Sequence, residues 1–181
     1  YVDNNGAIYW PGIIKFEDYI NGHCTINGKR AGWCYGSPGI ARAMYIAGNA
    51  IDDKEAIELS LKAIDGLCNM KEEDWKLNSP TICHGYAGLL TVVQAMYKDT
   101  GNDKYKECVD RLIEIILSLY EENSVFGFKD VNYLDKNDKG IYELVREDRI
   151  GLLQGSIGVT LALLTAIRGA RTNWLRHLLI T

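Results

Sequence analysis

The chain has 181 residues, 47% of them hydrophobic, enough for one buried core and too apolar for wholesale disorder. A formal net charge of -4, a pI near 5.4 and mixed signs along the chain give no electrostatic case for a nucleic-acid partner. Five Cys, an odd number with no short regular spacing and no signal peptide before them, read as thiols of a reducing compartment, where clustered Cys mean metal or catalysis rather than disulfides.

The chain opens on Tyr1 rather than Met, as expected of a fragment or a processed product. Residues 1–32 are rich in Gly and Asn with scattered aromatics (Tyr9, Trp10, Phe16, Tyr19), and read as a long ordered loop with short strands. The His23-Cys24 pair in that loop matches nothing else in the chain and is not taken as a ligand pair. Next comes Trp33-Cys34-Tyr35-Gly36-Ser37-Pro38-Gly39, followed by a helix with few charges on any face, residues 39–47. An amphipathic helix is predicted over 53–68, with Ile57, Leu61, Ile64 and Leu67 on one stripe, Asp52 as its cap and Glu55 completing a capping box.

The pattern then recurs. Ile82-Cys83-His84-Gly85-Tyr86-Ala87-Gly88 leads into an apolar helix at 88–96. After the Gly101-Asn102-Asp103 break, an amphipathic helix over 104–121 carries Tyr105, Val109, Leu112 and Ile116. Cys68 and Cys108 lie on these helices and read as packing residues. Residues 122–149 resemble the first loop and are expected to wall a cleft, with a turn at 137–140. A third copy, Leu152-Leu153-Gln154-Gly155-Ser156-Ile157-Gly158-Val159, has Leu153 and Gln154 in place of Cys83 and His84. The uncharged run 150–167 reaches the length of a membrane span, but its glycines and its alignment with the other copies favour a helix buried in protein. His177 reads as a residue of a terminal helix.

The Gly-x-x-Gly starts at Gly36, Gly85 and Gly155 are 49 and 70 residues apart, spacings that suit a helical hairpin plus loops. Apolar helices alternating with amphipathic ones predict an all-α fold, an α/α toroid with inner and outer layers. The repeats fall at 33–69, 82–121 and 152–181, with 122–151 as an insertion. Three such units make a partial ring whose apolar edges need further repeats. Glycine would allow loops to crowd together at the mouth and leave the first amides of each inner helix open, so that a nearby thiolate gains from the helix N-terminus. Cys34 and Cys83 at matching offsets, with His84 adjoining, point to zinc held by three protein ligands with a fourth position free.

The runs Arg30-Ala31-Gly32-Trp33-Cys34-Tyr35-Gly36-Ser37-Pro38-Gly39 and Ser79-Pro80-Thr81-Ile82-Cys83-His84-Gly85-Tyr86-Ala87-Gly88 resemble the lanthionine synthetase C-like cyclases. Tyr9-Trp10-Pro11-Gly12 and Gly151-Leu152-Leu153-Gln154-Gly155-Ser156-Ile157-Gly158 are similar to further segments of that family. The resemblance covers the chain but only about the C-terminal half of a full-length member. It implies one Zn²⁺ on Cys34, Cys83 and His84, and thioether ring closure by addition of a peptide Cys thiolate to dehydroalanine or dehydrobutyrine. It also implies roles for Tyr35, as a hydrogen-bond donor to the enolate, and for Arg30 in orienting groups. The family's acid–base His and Asp belong to the N-terminal half, so this chain alone is expected to be inactive or weak. The implied setting is cytoplasmic, at the inner face of the membrane, with a dehydrated lantibiotic precursor as substrate and a dehydratase and ABC transporter as partners. Two rival readings are a non-catalytic module whose zinc captures thiols or peptide Cys, and a helical scaffold with structural zinc.

Overall fold

The computed structural model describes residues 8–22, 30–136, 142–166 and 173–181. The His23-Cys24 pair and the turn expected at 137–140 lie outside them. A short surface helix, α1 (Phe16–Ile20), precedes two helical hairpins, α2 (Ser37–Ile51) with α3 (Lys54–Asn69) and α4 (Tyr86–Thr100) with α5 (Asp103–Ser118). A two-stranded antiparallel sheet of β1 (Lys129–Lys136) and β2 (Tyr142–Asp148) follows, then α6 (Ser156–Ala166) and a 3₁₀ turn, Trp174–Leu178. Helix α4 packs between α2 and α6, while α3 packs on α5 outside them. The result is an arc of an α/α toroid with two helix layers.

Sequence dictates which helix lies deepest. From Tyr86 to Met96 every residue of α4 is buried, as its lack of charge predicts. The other two inner helices are less covered than expected: Ile51 of α2 is 75% exposed and Leu164 of α6 is 44% exposed. Each has one inner neighbour among the described helices, so one apolar flank faces outward. Helix α6 has only 11 residues, and among the described residues no helix is long and apolar enough to cross a membrane.

The outer helices begin on side-chain caps. Asn102 accepts the Lys104 amide at 3.1 Å, and Gly101 takes the left-handed conformation (φ 68°) that ends α4. The start of α3 differs by one residue from expectation. Asp52 is the left-handed end of α2 (φ 57°), and Asp53 is the cap, accepting the Ala56 amide at 3.1 Å. Because α2 runs on to Ile51, only two residues link the helices. Asp tolerates the left-handed link, which leaves the next carboxylate to reach the open amide.

Two polar side chains tie the layers together. Trp75 is fully buried, donates its indole N–H to the Leu67 carbonyl at 2.9 Å and carries the Arg111 guanidinium 4.4 Å above its ring. Arg42, buried within α2, donates to the Ile180 carbonyl at 2.6 Å and pairs with Asp99 at 2.7 Å, holding the C-terminal segment against α2 and α4. The insertion between the second and third repeats is a β-hairpin, with Lys129 opposite Asp148 and an irregular register between Tyr133 and Lys136. Its base is fixed where Ser156 Oγ donates to the Phe128 carbonyl at 3.0 Å.

The three Gly-x-x-Gly turns are built alike. A methyl group on Gly36, Gly85 or Gly155 would overlap the carbonyl six residues earlier, that of Arg30, Ser79 or Arg149. One on Gly39, Gly88 or Gly158 would overlap the carbonyl of Trp33, Ile82 or Leu152, again six residues earlier. Glycine is required here for room, since Gly36 and Gly85 are extended (φ 175° and -127°) and not left-handed. The Gly85→Ala substitution should therefore cost roughly 3 kcal/mol in denaturant unfolding, because the obstructing atoms are backbone and cannot swing aside. Gly151 has open space around it, and Gly151→Ala should stay within about 0.5 kcal/mol of the parent.

Candidate metal centre

A ladder of backbone hydrogen bonds runs through the turns. The Cys34 amide donates to the Cys83 carbonyl at 3.1 Å, and the Cys83 amide donates to the Leu153 carbonyl at 2.8 Å. All three residues stand two before the first glycine of their copy, so sequence equivalence becomes spatial adjacency. The Cys34 thiol lies near enough to Cys83 to oppose its ionisation. Cys34 is exposed, Cys83 half-buried and His84 buried.

Arg30 donates from Nη2 to the His84 carbonyl at 3.2 Å, linking the first turn to the second. Tyr35 stands out from the protein, 71% exposed. The Tyr9-Trp10-Pro11-Gly12 stretch lies against the first turn, where the Trp10 amide donates to Ser37 Oγ at 3.0 Å and Gly12 faces the Tyr35 Cβ. His177 is exposed on the terminal 3₁₀ turn, and Cys108 is buried on the apolar stripe of α5.

Two expectations about electrostatics need correction. The first amides of α4 and α6 are not open: Tyr86 and Ala87 donate to the Ser79 and Pro80 carbonyls at 2.9 and 3.2 Å, and Ser156 donates to the Arg149 carbonyl at 2.9 Å. The second and third turns fold back and satisfy them internally, which removes the donors a Cys83 thiolate would use. Nor is the Cys83 thiol acidified in the metal-free protein. Burial, then the Cys34 thiol and the Asp130 charge, push it up to about 11, against the pull of Arg30.

Asp130 had no counterpart in the sequence reading. It is fully buried at the start of β1, and its Oδ1 lies 3.3 Å from His84 Nε2. The contact is off the line of a good hydrogen bond, and that buried nitrogen has no hydrogen-bond partner. Ser79 and Thr81 hydroxyls donate to the same oxygen at 2.9 and 3.2 Å. Burial opposes its ionisation, but His84, Ser79 and Asn132 outweigh that and hold the carboxyl below its ordinary range. Strand alternation could not have found it, since Asp130 and the adjoining Val131 are both buried.

Among the described residues, no three His, Cys, Asp or Glu side chains are gathered closely enough to hold a metal ion as they stand. The donor chemistry still fits a thiophilic metal: two cysteines side by side, and an adjoining imidazole whose buried Nε2 faces a carboxylate, which leaves Nδ1 for ligation.

The comparisons with known proteins agree with one another. The family described as lanthionine synthetase C-like protein matches residues 2–179. Nisin biosynthesis protein NisC of Lactococcus lactis subsp. lactis is 32% identical over 103 residues, which cover 55% of this chain and 24% of that protein. A solved structure of nisin cyclase superposes with a TM-score of 0.70 at 20% identity, covering 99% of this chain and 39% of the cyclase chain. At that identity the likeness is one of fold, and it matches the arc of paired helices. This chain thus spans well under half the length of either relative. Its turns, its two helix layers and the match along nearly its whole length place it in the lanthionine synthetase C-like family.

Proposed function

We propose that the protein is a zinc-dependent lantibiotic cyclase, with residues 1–181 forming the C-terminal part of a single toroid domain. In this reading Cys34, Cys83 and His84 hold one Zn²⁺, and a cysteine of a dehydrated precursor peptide adds to dehydroalanine or dehydrobutyrine to form lanthionine or methyllanthionine. The observation that carries the reading is the backbone hydrogen bond that sets Cys34 beside Cys83, from the Cys34 amide to the Cys83 carbonyl at 3.1 Å, at equivalent positions of two repeats. Bound zinc would supply Lewis acidity that keeps a peptide thiol as thiolate at neutral pH.

The chain's own residues have separable tasks. Arg30, anchored on the His84 carbonyl, brings positive charge beside Cys83 and opposes the local excess of anions. Tyr35 presents its hydroxyl outward from the position next to Cys34, where it can donate to an enolate oxygen as negative charge develops. Protonation of the enolate carbon needs acid–base groups from outside these residues. A cytoplasmic setting at the inner membrane face, with a dehydratase and an ABC transporter as partners, completes the proposal.

Metal analysis should find one zinc per chain in the parent and strong losses in Cys34→Ala and Cys83→Ala, with the helical circular dichroism signal kept. Zinc retained in both variants would sink the ligand assignment. In the whole protein, those variants should lose at least about a hundredfold in ring closure of a dehydrated precursor, followed by loss of free peptide thiol. Tight thiol-dependent binding without turnover would favour a non-catalytic capture module instead, and fast turnover by residues 1–181 alone would remove the need for outside acid–base groups. In the metal-free protein, Cys83 is a thiol group raised from 9.0 to about 11, so its neutral form prevails until the pH approaches that value. At pH 8 it should carry roughly a hundredfold less thiolate than an ordinary Cys and alkylate correspondingly slowly with iodoacetamide, the rate rising about tenfold per pH unit.

A further inference from the structure

The geometry points to Asp130 as a positioning residue for His84: it receives the imidazole through Nε2–H and so presents Nδ1 as the lone-pair nitrogen. This inference rests on the zinc reading above and deepens it, by giving the β-hairpin insertion a part in the site.

A buried carboxylate is costly to keep unless its oxygens are well supplied with donors. Asp130 is so supplied. Ser79 Oγ and Thr81 Oγ1 reach Oδ1 at 2.9 and 3.2 Å, the Val131 amide reaches it at 3.0 Å, and Asn132 Nδ2 reaches Oδ2 at 2.5 Å. Arg149 Nη1 stands 3.7 Å from Oδ2. Ser79 and Thr81 belong to the turn that carries Cys83 and His84. The carboxylate is therefore registered against the backbone on both sides of the imidazole it faces.

Ser79, Thr81, Val131 and Asn132 all make hydrogen bonds to Asp130, and His84 does not. Its Nε2 is buried, 3.3 Å away and without a hydrogen bond. A neutral imidazole carries one proton on two nitrogens, and an ionised carboxylate can only accept. The proton is then favoured on Nε2, and Nδ1 is left bare. Carboxylates behind ligating histidines set the tautomer and ring orientation in this way, and their loss typically lowers metal affinity about 10- to 100-fold. A purely structural role would tie the hairpin to the second turn and leave the imidazole indifferent.

The test separates these roles. In the metal-free protein, long-range ¹H–¹⁵N spectra should show His84 as the Nε2–H tautomer, and Asp130→Asn should shift it toward a mixture. Chelator competition should then find zinc bound about 10- to 100-fold more weakly by Asp130→Asn. Ser156→Ala, which removes the tie to the Phe128 carbonyl at the base of the hairpin without touching Asp130 or the imidazole, should lower the unfolding midpoint yet keep the tautomer and hold zinc within about threefold of the parent. Zinc affinity and tautomer both unchanged in Asp130→Asn would overturn the inference. So would an Nδ1–H tautomer in the parent, a measurement that decides the matter even where Asp130→Asn fails to fold. A parent that takes up no zinc while keeping the Nε2–H tautomer would refute the zinc reading and leave the Asp130–His84 relationship standing.

Discussion

Close approach of backbone to backbone in the Gly-x-x-Gly turns is the constraint from which the rest follows. Each turn packs two carbonyls against positions where any side chain would collide, and the second and third turns in doing so also accept the first amides of the next helix. Turns built this way have equivalent residues in equivalent places. They stack by a single bond from the Cys34 amide to the Cys83 carbonyl, and another from Cys83 to Leu153. The site is thus an outcome of repetition. Two of its groups meet because two copies of one turn must lie side by side.

The turns are not held equally. The second is seated on α4, the helix buried along eleven consecutive residues, and is braced where Tyr86 donates to the Leu77 carbonyl at 3.0 Å beside Trp75. The first leans on it through Cys34, through Arg30 on the His84 carbonyl and through the Ala31 amide on the Trp75 carbonyl at 2.9 Å. Cys83 and His84 therefore form the fixed half of the candidate site. Cys34 and Tyr35 form the half that faces outward.

Much of this arrangement was legible from residues alone. Repeats, layers and the pairing of Cys34 with Cys83 follow from glycine spacing and from the contrast between apolar and amphipathic helices. The one-residue error at α3 arose because Asp52 and Asp53 are both good caps, and only the true end of α2 decides which is free. Asp130 was hidden for a different reason. It sits in an insertion with no copy elsewhere, so no internal comparison could single it out, and its importance comes from long-range contacts 46 to 51 residues away in sequence. The acidity of Cys83 was expected with the wrong sign because the pattern shows where a helix starts but not who satisfies its first amides.

That sign has a consequence for how the site is balanced. At Cys83 burial, then the neighbouring Cys34 thiol and the buried Asp130 carboxylate, resist a negative charge. Arg30 and Arg149 occupy the same position in the first and third turns, and each brings a guanidinium toward His84 or its carboxylate. They temper the repulsion without removing it, since Cys83 still favours its neutral form near pH 7. On the proposed reading a divalent metal must displace the Cys83 proton, so the raised thiol pKa makes metal uptake stronger as the pH rises toward that value.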